Sequence, residues 1–100
     1  MRGYFLSPEA DSDLNEIWTW VAKDSLDLAD RLDSELREAF EALARMPGQG
    51  HRREDLTQRP VLFFPLYSYL IVYRPDTDPI QIMAVVRGTR NVKRLLDRRP

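Results

Sequence analysis

Cysteine is absent from the 100-residue chain, so no disulfide framework can hold the fold and an ordinary apolar core must do so. There is one histidine, His51, and with no cysteine beside it the sequence offers no zinc ligand set. Glycine is scarce: of the four, Gly48 and Gly50 flank Gln49 but neither follow a strand nor open a helix, the context a phosphate-cradling loop requires. No metal and no cofactor is therefore expected. Long apolar runs are missing too. The longest, Leu62 to Tyr73, is interrupted by Pro65 and Ser68 and is far shorter than the roughly 20 residues of a membrane span. The apolar stretch Tyr4-Phe5-Leu6 ends at Ser7-Pro8, too early for a secretory signal. A cytoplasmic protein without membrane association is expected.

What is present suits a single domain over residues 1–100. Hydrophobic residues make up 43% of the chain, and a domain of this size buries roughly two thirds of its unfolded surface. The net charge of -1 conceals a division. Residues 1–46 carry 5 Lys or Arg against 11 Asp or Glu, whereas residues 47–100 carry 10 against 5. Thirteen of the fifteen cations are arginine, the side chain that grips phosphate or carboxylate through two parallel bonds. A basic second half points to a polyanionic or acidic partner.

Residues 3–7 read as a strand that stops at Ser7-Pro8, a serine suited to the N-cap followed by a proline suited to the first helical position. Ala10, Leu14, Ile17, Trp18 and Val21 recur at helical spacing, which predicts a helix from Pro8 to about Lys23. Asp24-Ser25 supplies a second cap, and Ala29, Leu32, Leu36, Phe40 and Leu43 form the stripe of a second helix ending before Pro47. The two should form a hairpin. A polar loop over 48–58 precedes three predicted strands, Val61 to Phe64, Tyr69 to Arg74 and Ile80 to Arg87. Their short connections make neighbours antiparallel. Asn91 is placed to cap a last short helix holding Leu95 and Leu96.

The expected class is α+β: an N-terminal strand, an α-helical hairpin, a three-stranded antiparallel β-meander and a short C-terminal helix. The first strand is expected antiparallel to the second. Strict alternation would set Tyr69, Ile71 and Tyr73 opposite Leu70 and Val72, and Ile80, Ile82, Ala84 and Val86 opposite Gln81, Met83, Val85 and Arg87. One face would cover the hairpin, leaving the other partly open as a binding surface.

Candidate functional residues are few. His51 could act as a base near neutral pH, but no serine or cysteine accompanies it, and it reads as a solvated loop residue. Arg59, Arg74 and Arg87 sit at strand ends, with Arg90 and Lys93 in the tail; brought together they would bind a phosphate backbone or an acidic surface. Salt bridges to Asp55, Asp76 or Asp78 are the plainer use for them. Trp18, at the edge of the first helical stripe, reads as a core residue. Trp20 lies farther off the stripe, at its boundary or on a partner surface.

In order along the chain, Leu6-Ser7-Pro8-Glu9-Ala10, Asp13-Leu14, Ile17, Ala29-Asp30-Arg31, Phe40, Leu43 and Met46-Pro47-Gly48 resemble the ParE branch of the RelE/ParE superfamily of type II toxins. The resemblance continues through Gly50, Arg53-Glu54-Asp55-Leu56, Arg59, Tyr69 to Arg74, Ile80, Ile82 and Val85 to Asn91. It implies the fold just described and a growth-inhibiting toxin, associated with plasmid stabilisation, held silent by a ParD-like antitoxin in a hetero-oligomer. ParE-like members inhibit DNA gyrase; RelE-like members cut mRNA on the ribosome with basic residues and a terminal tyrosine or histidine. This chain has Arg87 where the ParE pattern has histidine before glycine, only two lysines, and no tyrosine or histidine after Tyr73. Gyrase is thus the expected target and ribosome-dependent mRNA cleavage the alternative. Target contacts are expected at Arg59, Arg74, Arg87, Arg90 and Lys93, and antitoxin contacts at Trp18, Trp20, Tyr69 and Tyr73.

Overall fold

The computed structural model describes residues 3–88 and 91–100. Strand β1 (Tyr4–Leu6) leads through Ser7 into helix α1 (Pro8–Ala22), and α2 (Leu26–Arg45) completes the hairpin. The N-caps act as expected: the Ser7 and Ser25 hydroxyls accept the amides of Ala10 and Leu28 at 3.0 and 3.1 Å. A 3-10 turn over Pro47–Gln49 and an irregular segment precede strands β2 (Leu62–Leu66), β3 (Tyr69–Arg74) and β4 (Ile80–Arg87). Helix α3 (Val92–Asp97) follows, capped by Asn91, whose side chain accepts the Arg94 amide at 3.1 Å.

The four strands make one sheet in the order β1-β4-β3-β2, with β2-β3-β4 an antiparallel meander and β1 joined parallel to β4. It follows that β1 and β2 run in the same direction, which corrects the antiparallel expectation. Only Ser7 separates β1 from α1, too little chain to reverse direction. Helix α1 therefore runs onward beside β4: Asp13 reaches Val85, and Trp20 reaches Arg87. The return leg α2 brings Ala44 and Arg45 back beside Gly3 and Ile80, where β1 began.

Strand β2 extends past its expected end and includes Pro65, paired with Leu70. The strand is at the sheet edge, where a missing N–H costs no ladder bond. Two residues earlier, Phe63 turns its N–H and C=O outward to His51, both bonds 2.8 Å. Pro65, of the same parity, presents its nitrogen to that outer side.

The helical hairpin packs on one face. Leu14, Leu36, Phe40 and Leu43 meet Ile71, Tyr73, Ile82 and Val85, and the Tyr4 ring stands edge-on to Phe40 with centroids 5.1 Å apart. Alternation holds along β3 but breaks in β4, where Val72 pairs with Ala84 and Tyr73 with Ile82, leaving Met83 as an extra residue. This bulge shifts the pleat by one. Ile80, Ile82 and Val85 consequently face the hairpin, while Met83, Ala84 and Val86 face the other way.

The second face is covered, not left partly open as expected. Val61, Phe63, Val72, Ala84 and Val86 form a second core under Val92 and Leu96, with Leu56 and Leu95 at its margin. The segment before β2 and helix α3 thus do for this face what the hairpin does for the first. Among the described residues, no helix is long and apolar enough to cross a membrane.

Candidate functional site

Beyond the three-residue strand β1, no strand among the described residues lies beside the edge of β4, and side chains satisfy its backbone instead. The Asp13 carboxylate accepts the Val85 amide at 3.0 Å. Ser7 Oγ and Arg99 Nη1 donate to the Met83 carbonyl at 3.3 and 3.0 Å. Arg99 also grips Asp13 with both terminal nitrogens, at 3.0 and 2.8 Å. The two side chains are only 14% and 10% exposed, and the Asp13 carboxylate holds the Arg99 pKa above its ordinary value. In the sequence Asp13 stood out only as part of the Asp13-Leu14 resemblance, and Arg99 only as one more cation of the basic second half.

Beyond this closure a groove opens between α1 and the far end of β4, about 370 Å³ in volume, lined by Asp13, Glu16, Ile17, Trp20, Tyr69 and Arg87, with Val85 and Val86. Trp20 is its exposed wall, 56% accessible, with the Arg87 guanidinium 5.7 Å from its ring centroid and Lys23 Nζ 5.0 Å from it. Tyr69, buried, pairs with Arg87 across the strands. The result is an apolar floor with an aromatic-cationic rim and the carboxylate of Glu16, suited to seat an apolar anchor flanked by charge.

Trp18 is not in the core. It is 36% exposed, and its indole N–H donates to Asp30 across the hairpin at 2.9 Å, because it sits at the margin of the α1 stripe and not at its centre. Tyr73, by contrast, is fully buried and offers no surface to a partner. Its hydroxyl donates to the Pro47 carbonyl at 2.6 Å and accepts the Gly50 amide at 2.9 Å, which fastens the segment after α2 to the sheet. A side chain at Gly50 would meet that hydroxyl at 2.7 Å, which is why the position has none.

The expected arginine cluster is divided. Arg59 is spent internally: its guanidinium donates to the carbonyls of Leu96, Arg99 and Pro100 at 3.1, 2.8 and 2.6 Å, closing the end of α3. Arg74 reaches Pro100 at 3.4 Å, with its Nε buried and unpartnered among the described residues. Arg87 lies at the opposite end of β4, about 20 Å away at 3.3 Å per residue, because Arg74 pairs with Gln81 and Arg87 with Tyr69. Lys93 is exposed on α3. Arg90 lies outside the described residues. His51 is held to Phe63 through its backbone alone, and no cluster of three or more metal-ligating side chains exists among the described residues.

A two-helix hairpin on one face of a four-stranded mixed sheet, a short helix on the other and an open groove at one sheet end define a class of small α+β proteins built around surfaces. The family model described as "ParE toxin of type II toxin-antitoxin system, parDE" matches residues 4–92, and the chain belongs to this ParE toxin family. Among solved structures, a chain of the chromosomal ParDE TA system from P. aeruginosa superposes with a TM-score of 0.69 at 22% identity. The match covers 87% of this chain and 96% of that one. At that identity the likeness is one of fold. No curated protein matches.

Proposed function

We propose that this toxin inhibits growth by acting on DNA gyrase and that a ParD-like antitoxin neutralises it by occupying the groove between α1 and β4. The observation that carries this reading is the match to the ParE family over residues 4–92. The groove supports the antitoxin half. An amphipathic segment placing apolar anchors against Ile17, Trp20 and Val85 would meet charge of both signs at Arg87 and Glu16. For the target half, exposed Arg87 and Lys93 are the side chains with free reach, whereas Arg59 is engaged by the chain's own carbonyls. Arg90 and Arg74 stand beside them as candidates from the sequence. No tyrosine or histidine follows Tyr73 in the chain, so the basic tail carries no acid-base partner for in-line RNA cleavage.

The test is to titrate the purified toxin, free of antitoxin, into a gyrase supercoiling reaction, with a translation reaction monitored for mRNA cleavage in parallel. Inhibited supercoiling with intact message is the expected result. Cleaved message with normal supercoiling would transfer the protein to the ribonuclease branch.

A further inference from the structure

The outer side of α3 has a composition that the groove and the closure of β4 leave unused. Val92 and Leu96 are buried against the sheet, while Lys93, Arg94, Asp97 and Arg98 face outward. Arg94 and Arg98 are one helical turn apart and so lie side by side. Among the described residues neither makes an ion pair, although other exposed arginines do: Arg37 with Asp33 at 2.9 Å and Arg53 with Asp55 at 2.8 Å. Asp97 stands one turn on from Lys93 and three residues on from Arg94, but among the described residues it makes no ion pair with either, and the arginine pair is left without a bound carboxylate. Together with Asn91, Leu95 and Arg99 the pair lines a shallow concavity of about 400 Å³ with no carboxylate in its wall. Two like charges placed in register weaken a helix, so an anion between them relieves a repulsion that the fold leaves in place.

The geometry points to the phosphate backbone of duplex DNA as the occupant, held by Arg94 and Arg98. A single strand or an RNA loop would be met by aromatic stacking platforms, and neither α3 nor residues 51–61 beside it contain Phe, Tyr or Trp. The face reads charge and not bases. The hairpin on the opposite face carries the chain's acidic excess, so the protein's own field directs a polyanion to α3. This deepens the gyrase reading, whose substrate is duplex DNA, by assigning the DNA contact to a surface distinct from the groove.

The measurement is fluorescence anisotropy of a labelled duplex of about two helical turns, titrated with the whole toxin at salt concentrations from about 50 to 200 mM. We expect weak, sequence-independent binding whose logarithm falls linearly with that of salt. Arg94→Gln/Arg98→Gln should lower the slope by about 1.8, two phosphate contacts at roughly 0.9 each, and weaken low-salt binding at least about tenfold. Arg31→Gln, exposed on the hairpin and outside the groove, should change neither. A thermal melt of the double variant matching the parent confirms that the fold is intact. No duplex binding, an unchanged slope in the double variant, or tighter binding to a single-stranded RNA of equal length would each overturn the assignment. Supercoiling inhibition by a toxin that binds no duplex overturns this inference alone. Duplex binding that depends on the arginine pair, without inhibition by the parent protein, upholds it and removes the gyrase reading.

Discussion

Asp13 answers to three parts of the chain at once: its own helix, the Val85 amide of β4 and the Arg99 guanidinium from beyond α3. Removing its charge leaves Arg99 poorly solvated and unpaired. Asp13→Asn should therefore cost about 3 kcal/mol and lower Tm by more than about 10 °C; Arg99→Ala should cost about as much, and the two together little more than either. Tyr73 acts through its burial. Desolvation raises its phenol pKa, with the Gly50 amide pulling weakly the other way. In the unfolded chain a tyrosine releases its proton near pH 10, while folded Tyr73 still holds its own. Its contribution to stability is thus complete below about pH 10 and drains away as pH rises toward the folded value. Tyr73→Phe should cost about 1–2 kcal/mol at neutral pH, by leaving Pro47 and Gly50 without their partner. Chemical denaturation across alkaline pH should show a shallower decline for the variant; parallel declines would mean that Tyr73 does not titrate differently in the two states.

The helices start and stop where local chemistry says they should. The two serine caps serve unequal loads, however. Ser25 accepts one amide, whereas Ser7 accepts the Ala10 amide and donates to the Met83 carbonyl inside the sheet edge. Ser25→Ala should cost about 0.5–1 kcal/mol and Ser7→Ala about 2 kcal/mol, a difference readable by urea unfolding. Equal costs would show that the bond to Met83 adds nothing. The periodicity of α1, α2 and β3 was legible because neighbours in sequence produce it. The extra residue at Met83 was not: IQIMAVV reads as an uninterrupted strand, and the bulge exists only because Ala84 pairs with Val72 and Ile82 with Tyr73.

At the scale of the molecule, two cores lie on the two faces of one sheet, with the acidic hairpin over one and α3 with its exposed arginines over the other. Partner surfaces and fold-holding residues are consequently separable. Trp20 is exposed and packs on cations, not on the core. Trp20→Ala should leave stability within about 0.5 kcal/mol of the parent while weakening antitoxin binding about 10- to 30-fold, the loss of one interface anchor. Calorimetry of the toxin with its antitoxin, beside a thermal melt, separates the two effects. Unchanged affinity would take Trp20 out of the interface.

The sequence by itself determined the order of elements, their caps, the amphipathic faces of α1 and α2 and the charge division between the halves, because each arises from spacings of a few residues. It also carried the family resemblance, since that is an ordered set of such local features. Only the tertiary structure decided that β1 joins β4 in parallel, that the second face is covered, that Arg59 and Arg74 part company with Arg87, and that Asp13 meets Arg99 across 86 positions of chain. Those outcomes depend on which backbone groups a three-residue strand leaves unpaired and which distant side chains can reach them, a matter of distance in space that spacing along the chain does not encode.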